Sequence, residues 1–447
     1  MDKIPVQIFR GEVFSFKTSL SGGWDAYDFY PDGGLVVSDG KIVEAGPYAG
    51  ISRRYGSVDT VDYSGKLLMP GFIDTHIHYS QSSIIGMYGK QLLDWLNEYT
   101  YPAEIFFSSF EYAKQTARTF INELLRNGTT TCMAYATVHP ASVSALFEVA
   151  AAYNMRLMTG KVLMDRNAPD ELLVPWEQAE EETIHLIETW HNKGRNQYAI
   201  TPRFAISCSS QQLRSAARLH RRYPDTYIQT HLSENKNEIG QTLSLFPDCR
   251  DYLDVYEKAG LLTGRTVFAH CLHLSDGECK RLSEAGSILA HCPTSNFFLG
   301  SGLYDMQRMN CAKLQTTMAT DIGAGTSFSM LRTLGESYKM QQLKGYSMSV
   351  FESFYRSTLG AAFALGLAGK IGSFAKGNEA DFIVVDYAAS SVQRMRRDFL
   401  QQTGKWNLEN KLFGLQTLGD SRNIAAVYLT GQHVTLDRQL AIPTNIL

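Results

Sequence analysis

The stretch of sequence that decides the fold is PGFIDTHIHYSQ, residues 70–81. Its first half is apolar, which is typical of a buried strand, and the strand ends on His76 and His78. Side chains alternate between the two faces of a strand, so both imidazoles point the same way. In a parallel barrel that direction can be inward at the carboxyl end, where active sites lie. Two imidazoles placed in this way can bind one divalent metal ion.

Outward from this strand, residues 67–370 alternate between short apolar runs and helical patterns, for example at residues 140–153 and 330–343. The apolar runs end near His78, Tyr135, Val162, Phe204, His231, His270, His291 and Asp321. Strand–helix alternation predicts parallel strands with right-handed crossovers. Eight such units predict an α/β protein with a (β/α)8 TIM-like barrel. On pattern alone, an open doubly wound sheet is the alternative.

The two ends of the chain have a strand-rich pattern instead. Two apolar segments flank Asp39-Gly40, which is a hairpin signal, and residues 380–386 and 426–434 have the pattern of further strands. Domain termini often lie close together. We therefore expect residues 1–66 and 371–447 to form one small composite β domain, a β-sandwich built from both termini, beside a barrel of residues 67–370.

Composition narrows the class of protein. The 447 residues carry 42 Lys and Arg against 45 Asp and Glu, so there is no basic excess to neutralise a nucleic acid. A hydrophobic content of 44% argues against disorder. Seven cysteines without a C-x-x-C pair predict a reduced, cytoplasmic protein. No apolar stretch approaches about 18 residues, and the start lacks a signal peptide, so we expect no membrane association.

Metal-binding residue types recur at other predicted strand ends. His231, His270 and Asp321 each follow a strand-like run. Any one of them could be a packed core residue, but this reading is hard to sustain for the whole set. Catalytic zinc sites use three or four protein ligands and keep a position for water. The chain lacks both the H-E-x-x-H motif of zinc proteases and the H-x-E and P-C-x-x-C motifs of zinc enzymes that bind the metal through cysteines.

The residues around such a site suggest its chemistry. A zinc ion lowers the pKa of its water to ~7, which yields a hydroxide nucleophile. Glu234 could accept the proton of the water and deliver it to a ring nitrogen or leaving group. Asp321 would bind the metal and orient or deprotonate the water, and His270 would donate a hydrogen bond to the nucleophile. The fourth strand end, residues 199–203, has no lysine to bridge two metals, so we predict one.

With further motifs, these residues resemble the amidohydrolase superfamily and, within it, the members that deaminate guanine. The motifs are PGFIDTHIHYSQ (70–81), GTTT (128–131), TPRF (201–204), THLSE (230–234), AHC (269–271), AHCPTSN (290–296), TD (320–321) and GNEADF (377–382). The H-x-H, H-x-x-E and T-D elements mark the superfamily, whereas H-Y-x-Q and P-R-F point to guanine. The resemblance implies zinc-dependent hydrolysis of guanine to xanthine and ammonia in purine catabolism or salvage, by a homodimer.

Residue by residue, the resemblance assigns roles to nine positions. It assigns the zinc to His76, His78, His231 and Asp321, the proton shuttle to Glu234, a further catalytic position to His270, and guanine contacts to Gln81, Arg203 and Phe204. An arginine and an amide can hydrogen-bond the acceptors of a planar base, and a phenyl ring can stack on it. Arg203 could instead be a structural ion-pair residue, and Phe204 plain barrel core. The chain departs from the family at Ser80, where proline is common and would stiffen the turn before Gln81.

Two other functions are compatible with the sequence. One is an amidohydrolase that deaminates another amino-heterocycle, such as an adenine-nucleoside derivative or an aminotriazine. The other is a catalytically silent scaffold that works by binding partners. Silent relatives lose metal ligands, whereas every ligand position is filled here.

Overall fold

The computed structural model describes residues 6–17, 23–89 and 91–435. Its strands are β1 (Val6–Phe16), β2 (Tyr27–Ser38), β3 (Lys41–Pro47), β4 (Thr60–Pro70), β5 (Phe72–His78), β6 (Thr129–Tyr135), β7 (Arg156–Gly160), β8 (Val162–Leu163), β9 (Asn196–Pro202), β10 (Tyr227–Leu232), β11 (Thr266–His270), β12 (Ile288–His291), β13 (Gln315–Met318), β14 (Phe382–Val385), β15 (Ile424–Leu429) and β16 (Gln432–His433).

The α-helices of the described ranges mostly follow the barrel strands. They are α1 (Tyr48–Tyr55), α2 (Leu92–Trp95), α3 (Tyr101–Ile105), α4 (Phe110–Arg126), α5 (Pro140–Ala152), α6 (Trp176–Trp190), α7 (Ser210–Arg222), α8 (Lys236–Leu245), α9 (Tyr252–Ala259), α10 (Asp276–Ala285), α11 (Pro293–Phe298), α12 (Met306–Cys311), α13 (Met330–Leu343), α14 (Val350–Arg356), α15 (Leu359–Ala364), α16 (Ser391–Gln402) and α17 (Leu408–Leu418). Within these ranges, none has both the length and the apolar content needed to cross a bilayer.

The larger sheet is the predicted barrel. Its main path runs β5-β6-β7-β9-β10-β11-β12-β13, all paired in parallel, with β8 added beside β9. Every residue of β5 and β6 is buried, as expected when helices cover one face of a parallel sheet and the packed interior covers the other. The hydroxyls of Thr75 and Thr317 lie 2.7 Å apart across the seam between β5 and β13. These contacts confirm the (β/α)8 barrel and exclude an open sheet, which would leave these two strands apart.

Both ends of the chain contribute to a second sheet, in the order β16-β15-β14-β4-β1-β2-β3. Its neighbours are antiparallel except β1 and β4. The predicted hairpin is present: Asp39 and Gly40 adopt φ of +50° and +71° between β2 and β3. Phe9 of β1 and Tyr428 of β15 are separated by two strands, yet their ring centroids lie 4.9 Å apart. The sheet therefore curls until its two halves face each other, as the halves of a sandwich do.

The exact division of the chain into domains stays a prediction. Strand β4 extends beyond residue 66 to Pro70 within the terminal sheet. Residues 371–435 also include helices α16 and α17, which the strand-rich pattern missed. Residues 1–5, 18–22 and 436–447 of the predicted β domain lie outside the described residues.

A partly buried ion-pair group joins the terminal sheet to the barrel. Arg156 of β7 donates to Glu379 at 2.7 Å, and Arg195 donates to Glu379 at 2.6 Å and also pairs with Asp381. These residues lie at the amino end of the barrel strands or just before β14. The opposite end of the barrel, at the strand carboxyl termini, is free of this contact and carries the residues predicted for the site.

Candidate active site

The two histidines of β5 converge inside the barrel. His76 and His78 are both buried, and their Nε2 atoms lie 3.2 Å apart. Strand alternation places them on one face, as the sequence predicted. Two imidazole nitrogens this close, both facing the barrel interior, form the centre of the site.

His231, at the end of β10, joins this pair. Its ring centroid is 4.8 Å from that of His76. Its Nδ1 donates to the carbonyl oxygen of Arg203 at 2.6 Å, so in the neutral ring the lone pair is on Nε2. A main-chain acceptor that fixes the tautomer in this way is the usual second interaction of a metal-binding histidine.

Asp321 reaches the site from the loop after β13. Its Oδ1 lies 3.2 Å from Nε2 of His76 and 3.4 Å from Nε2 of His78. The loop is fixed by Asp74, whose carboxylate accepts hydrogen bonds from the backbone N–H of Thr320 at 3.2 Å and from the Thr320 hydroxyl. The backbone N–H of Asp321 itself donates to the carbonyl of His76 at 3.0 Å. The seam of the barrel therefore holds the carboxylate against the two histidines.

The charge states of these groups suit a divalent metal. Burial lowers the pKa of His76, that of His78 to about 3, and that of His231 well below its usual value, so the three rings are neutral near pH 7. Burial opposes ionisation of Asp321, yet hydrogen bonds from the facing rings of His76 and His78 keep its pKa well below the usual range. Three neutral imidazoles and one carboxylate are a common donor set for zinc. The ligating atoms of His76, His78 and His231 lie within 4.8 Å of one another.

A second possible metal grouping shares two of these residues. The ligating atoms of His76, His270, Cys292 and Asp321 also lie within 4.8 Å of one another. Burial raises the pKa of the Cys292 thiol well above its usual value, and Sγ donates to the carbonyl of Ala290 at 3.4 Å. A protonated thiol is a poor metal ligand. We therefore favour the set of three histidines and Asp321.

Glu234, just after β10, lies beside His76, His78 and His231, which together form the histidine cluster. It is 2% exposed, and its Oε1 accepts a hydrogen bond from the hydroxyl of Ser301 at 3.3 Å. Burial and the nearby charge of Asp321 raise its pKa well above the usual value. The backbone is fixed by Glu238, whose Oε2 accepts from the N–H groups of Glu234 and Asn235 at 2.9 and 3.0 Å. Such a carboxyl group can hold a proton near neutral pH.

His270 completes the polar centre from the end of β11. Its Nδ1 donates to Oδ1 of Asn296 at 3.0 Å. Its Nε2 lies 3.4 Å from Oε2 of Glu234 and 3.7 Å from Oδ2 of Asp321. Asn296 therefore aims Nε2 at the space between the two carboxylates.

These residues line one cavity together with the three predicted substrate contacts. Its empty space, open mouth included, is about 400 Å³. The remaining wall is apolar and consists of Leu92, Trp95, Leu96, Leu299 and Ala324. A small polar centre within an apolar wall is typical of small-molecule sites. Eight of the nine predicted site residues line this cavity, and the ninth, His76, has its Nε2 atom 3.2 Å from that of His78.

Gln81, Arg203 and Phe204 line the same cavity, and the Phe204 ring centroid lies 6.5 Å from that of His231. Oε1 of Gln81 accepts from the backbone N–H of Gly323 at 3.2 Å. A Cβ at position 323 would come within 2.5 Å of the carbonyl oxygen of Gln81, so only glycine permits this approach. Phe204 is 4% exposed, and its ring faces the cavity.

Arg203 forms an ion pair that the sequence did not reveal. Nη1 donates to both carboxylate oxygens of Glu104, at 2.8 and 2.7 Å. Arg203 is therefore an ion-pair residue through Nη1, as the alternative interpretation predicted. It also lines the cavity, as the substrate-binding interpretation predicted. Glu104 and Asn296 were not predicted as site residues. Asn296 is within the quoted AHCPTSN motif, but Glu104 is 99 residues from Arg203 and carries no sequence signal.

Comparison with known proteins agrees with this geometry. The model of the Amidohydrolase family matches residues 67–434. The guanine deaminase of Escherichia coli strain K12 is 49% identical over 412 residues, 92% of each chain. A solved E. coli guanine deaminase structure superposes with a TM-score of 0.93 at 47% identity, over 97% of this chain and 100% of that one. Guanine deaminase from C. acetobutylicum, solved with bound guanine in the active site, is 31% identical with a TM-score of 0.86, over 96% and 100%. The chain therefore belongs to the amidohydrolase family, and within it to the group of guanine deaminases.

Proposed function

We propose that the chain hydrolyses guanine to xanthine and ammonia with one bound zinc ion. The observation that carries this proposal is the single cavity that places Glu234 and the histidine cluster beside Arg203, Gln81 and Phe204. The guanine deaminase of E. coli also aligns along almost the whole chain, at nearly half identity. An amidohydrolase that prefers an aminotriazine or an adenine-nucleoside derivative is the alternative to be tested.

The family is metal-dependent, and four residues here would hold the ion. They are His76, His78 and His231, through Nε2, and the carboxylate of Asp321. When bound, a zinc ion supplies Lewis-acid activation of a water molecule. Because three imidazoles and a carboxylate also suit other divalent ions, zinc in particular is part of the proposal.

Glu234 moves the proton in this scheme. Its carboxylate takes a proton from the attacking water, whose oxygen forms a bond to C2 of guanine. It then passes that proton to the ring nitrogen beside C2. As the bond from C2 to the exocyclic nitrogen breaks, the remaining proton of the new C2 hydroxyl is transferred to that nitrogen, which leaves as ammonia, and C2 becomes the carbonyl of xanthine. A raised pKa suits this task because the group must both accept and release a proton near neutral pH.

His270 orients the attacking oxygen. Asn296 holds Nδ1, so Nε2 is directed at the reaction space between Glu234 and Asp321. The role we assign to Nε2 is a hydrogen bond to the nucleophile. Asp321 would share the orientation of the water through its second carboxylate oxygen.

Arg203, Gln81 and Phe204 bind the base. The guanidinium and amide N–H groups face acceptor atoms of the purine, and the phenyl ring packs on its plane. The apolar wall excludes water around the base, which strengthens these hydrogen bonds.

The decisive experiment measures ammonia release by the purified chain from guanine, adenine, cytosine and ammeline, with metal content quantified in parallel. We expect turnover of guanine far above that of the other bases and one zinc ion per chain. Turnover of ammeline or adenine without turnover of guanine would favour the alternative substrate. A stable, metal-free protein that is inactive on every base would support the silent scaffold.

We also propose a cytoplasmic homodimer. All seven cysteines are free thiols, five of them buried, which suits a reducing compartment. The dimer rests on the family resemblance alone. Light scattering of the purified chain would decide it, since a 50.0 kDa mass would contradict the dimer.

A further inference from the structure

The ion pair of Arg203 and Glu104 is buried at the wall of the substrate cavity. Arg203 is 2% exposed and Glu104 is 0% exposed. Both carboxylate oxygens accept from the same nitrogen, Nη1. Among the described residues, Nε and Nη2 make no protein hydrogen bond, although Arg203 lines the cavity. One corner of the guanidinium is therefore occupied by protein, and the other N–H groups are left for a ligand.

The carboxylate comes from the helical segment that follows the first barrel strand. Glu104 lies on α3, and the preceding helix α2 brings Leu92 and Trp95 to the wall of the same cavity. The Tyr101 ring, one turn before Glu104, lies 5.4 Å from the guanidinium carbon of Arg203. This segment therefore fixes Arg203 on one edge with a charge and on one face with a ring.

Glu104 also contacts Ser80, which directly precedes Gln81, another predicted base-binding residue. The hydroxyl of Ser80 lies 3.5 Å from Oε1 of Glu104. Ser80 precedes Gln81 in the turn after β5. The buried carboxylate of Glu104 thus contacts both Arg203 and the residue before Gln81.

Stability alone is a weak reason for such a pair. Removing two charges from water is costly, and well-packed apolar residues are often as stable as a buried ion pair. Its particular value is geometric, because an arginine held at one nitrogen presents its other donors in a fixed plane. A flexible arginine would have to be ordered each time a base bound, which costs affinity.

We propose that Glu104 is a positioning residue for substrate recognition: it holds Nη1 of Arg203 so that the remaining N–H groups face the acceptor atoms of the purine base. The inference rests on the proposed function for its substrate. It predicts that loss of the carboxylate weakens binding of the base and leaves the proton transfer by Glu234 intact.

The test compares Glu104→Gln with the parent enzyme in steady-state guanine deamination. We expect KM for guanine to rise about 10–100-fold, the range for a lost charged hydrogen bond, while kcat changes less than about threefold. Metal content should stay at the parent level, since no ligand is altered. The matched control is Glu352→Gln, which breaks another buried pair, with Arg356, outside the cavity. This control should lower stability without a selective rise in KM.

A double-mutant cycle separates positioning from general damage. If Glu104 acts through Arg203, Glu104→Gln combined with Arg203→Gln should have the same KM as Arg203→Gln alone. If the double variant instead raised KM by the product of the two single effects, the proposal would be overturned. A KM for Glu104→Gln within twofold of the parent would also overturn it.

A third variant covers the case in which Glu104→Gln does not fold. Glu104→Asp keeps the charge but shortens the side chain by one methylene, so KM should rise to an intermediate value; a parent-like KM would count against the proposal. The proposed function is judged separately, by turnover of guanine in the parent. If the parent acts on another base, the same ratios are measured with that base.

Discussion

Replacing Glu234 with glutamine tests the proposed proton transfer most directly. Glutamine has nearly the same shape, so the cavity and the hydrogen bond from Ser301 at 3.3 Å can both persist. In the part of the chain that the structure describes, the carboxylates that line the cavity are Glu234 and Asp321, the proposed metal ligand, and the substitution removes the first of them. What is lost is therefore the proton acceptor itself, while the four metal ligands are unchanged.

The expected size of the effect follows from this geometry. General acid–base catalysis contributes about 10²–10⁴-fold, which corresponds to about 3–5 kcal/mol of activation free energy. Because water and the remaining polar groups cannot replace a group held between Ser301 and His270, we expect the loss to fall on kcat, with KM for guanine changed little. The metal content should stay equal to that of the parent.

The assay follows ammonia release from guanine at saturating substrate, with the metal of the same samples quantified. Ser301→Ala is the matched control, since it removes only the hydroxyl donor to Oε1 and should cost about tenfold or less. Glu234→Asp retains a carboxylate but withdraws it by one methylene, so it should stay far below the parent. If Glu234→Gln retained more than about a tenth of the parent kcat with full metal content, this role of Glu234 would be wrong.

Three further substitutions test other parts of the site. Asn296→Leu should lower kcat about 10–100-fold at unchanged metal content, because Nδ1 of His270 loses its acceptor. Gly323→Ala should lower kcat/KM for guanine about 10–100-fold, because the added Cβ would come within 2.5 Å of the Gln81 carbonyl oxygen and displace that residue. Glu238→Gln should flatten the pH dependence of stability in urea unfolding between pH 4.5 and 7. In the parent, burial raises the pKa of Glu238 to about 7, so the protonated side chain stabilises the folded state. This contribution, up to about 3 kcal/mol, is lost as the pH rises through this window.

For each of these three substitutions, one outcome would contradict the prediction. An unchanged kcat in Asn296→Leu would mean that His270 is oriented by packing alone. A parent-like KM and kcat in Gly323→Ala would remove Gln81 from base recognition. A parent pH profile in Glu238→Gln would place the titrating group elsewhere.

Most of the catalytic centre could be predicted because it obeys local rules. Alternation along β5 puts His76 and His78 on one face. Parallel strands bring their carboxyl ends together, so His231 and His270 had to lie near that pair once the strands were recognised. The helices were also predictable from periodicity, and residues 330–343 coincide with α13.

The missed features depend on contacts between distant parts of the chain. Helices α16 and α17 were hidden by the strand-rich pattern around them. The curl of the terminal sheet, which brings Phe9 to Tyr428, depends on packing and not on periodicity. The site roles of the nine predicted residues stay predictions, although the structure brings all of them together.

The sequence by itself determined the strand–helix alternation, the residue types at the strand ends and therefore the metal chemistry, because these depend on spacing along one element. Only the tertiary structure decided how the barrel closes, since Thr75 and Thr317 meet across 242 residues of chain. Only the tertiary structure paired Glu104 with Arg203, because a buried charge takes whichever partner the folded chain brings within reach.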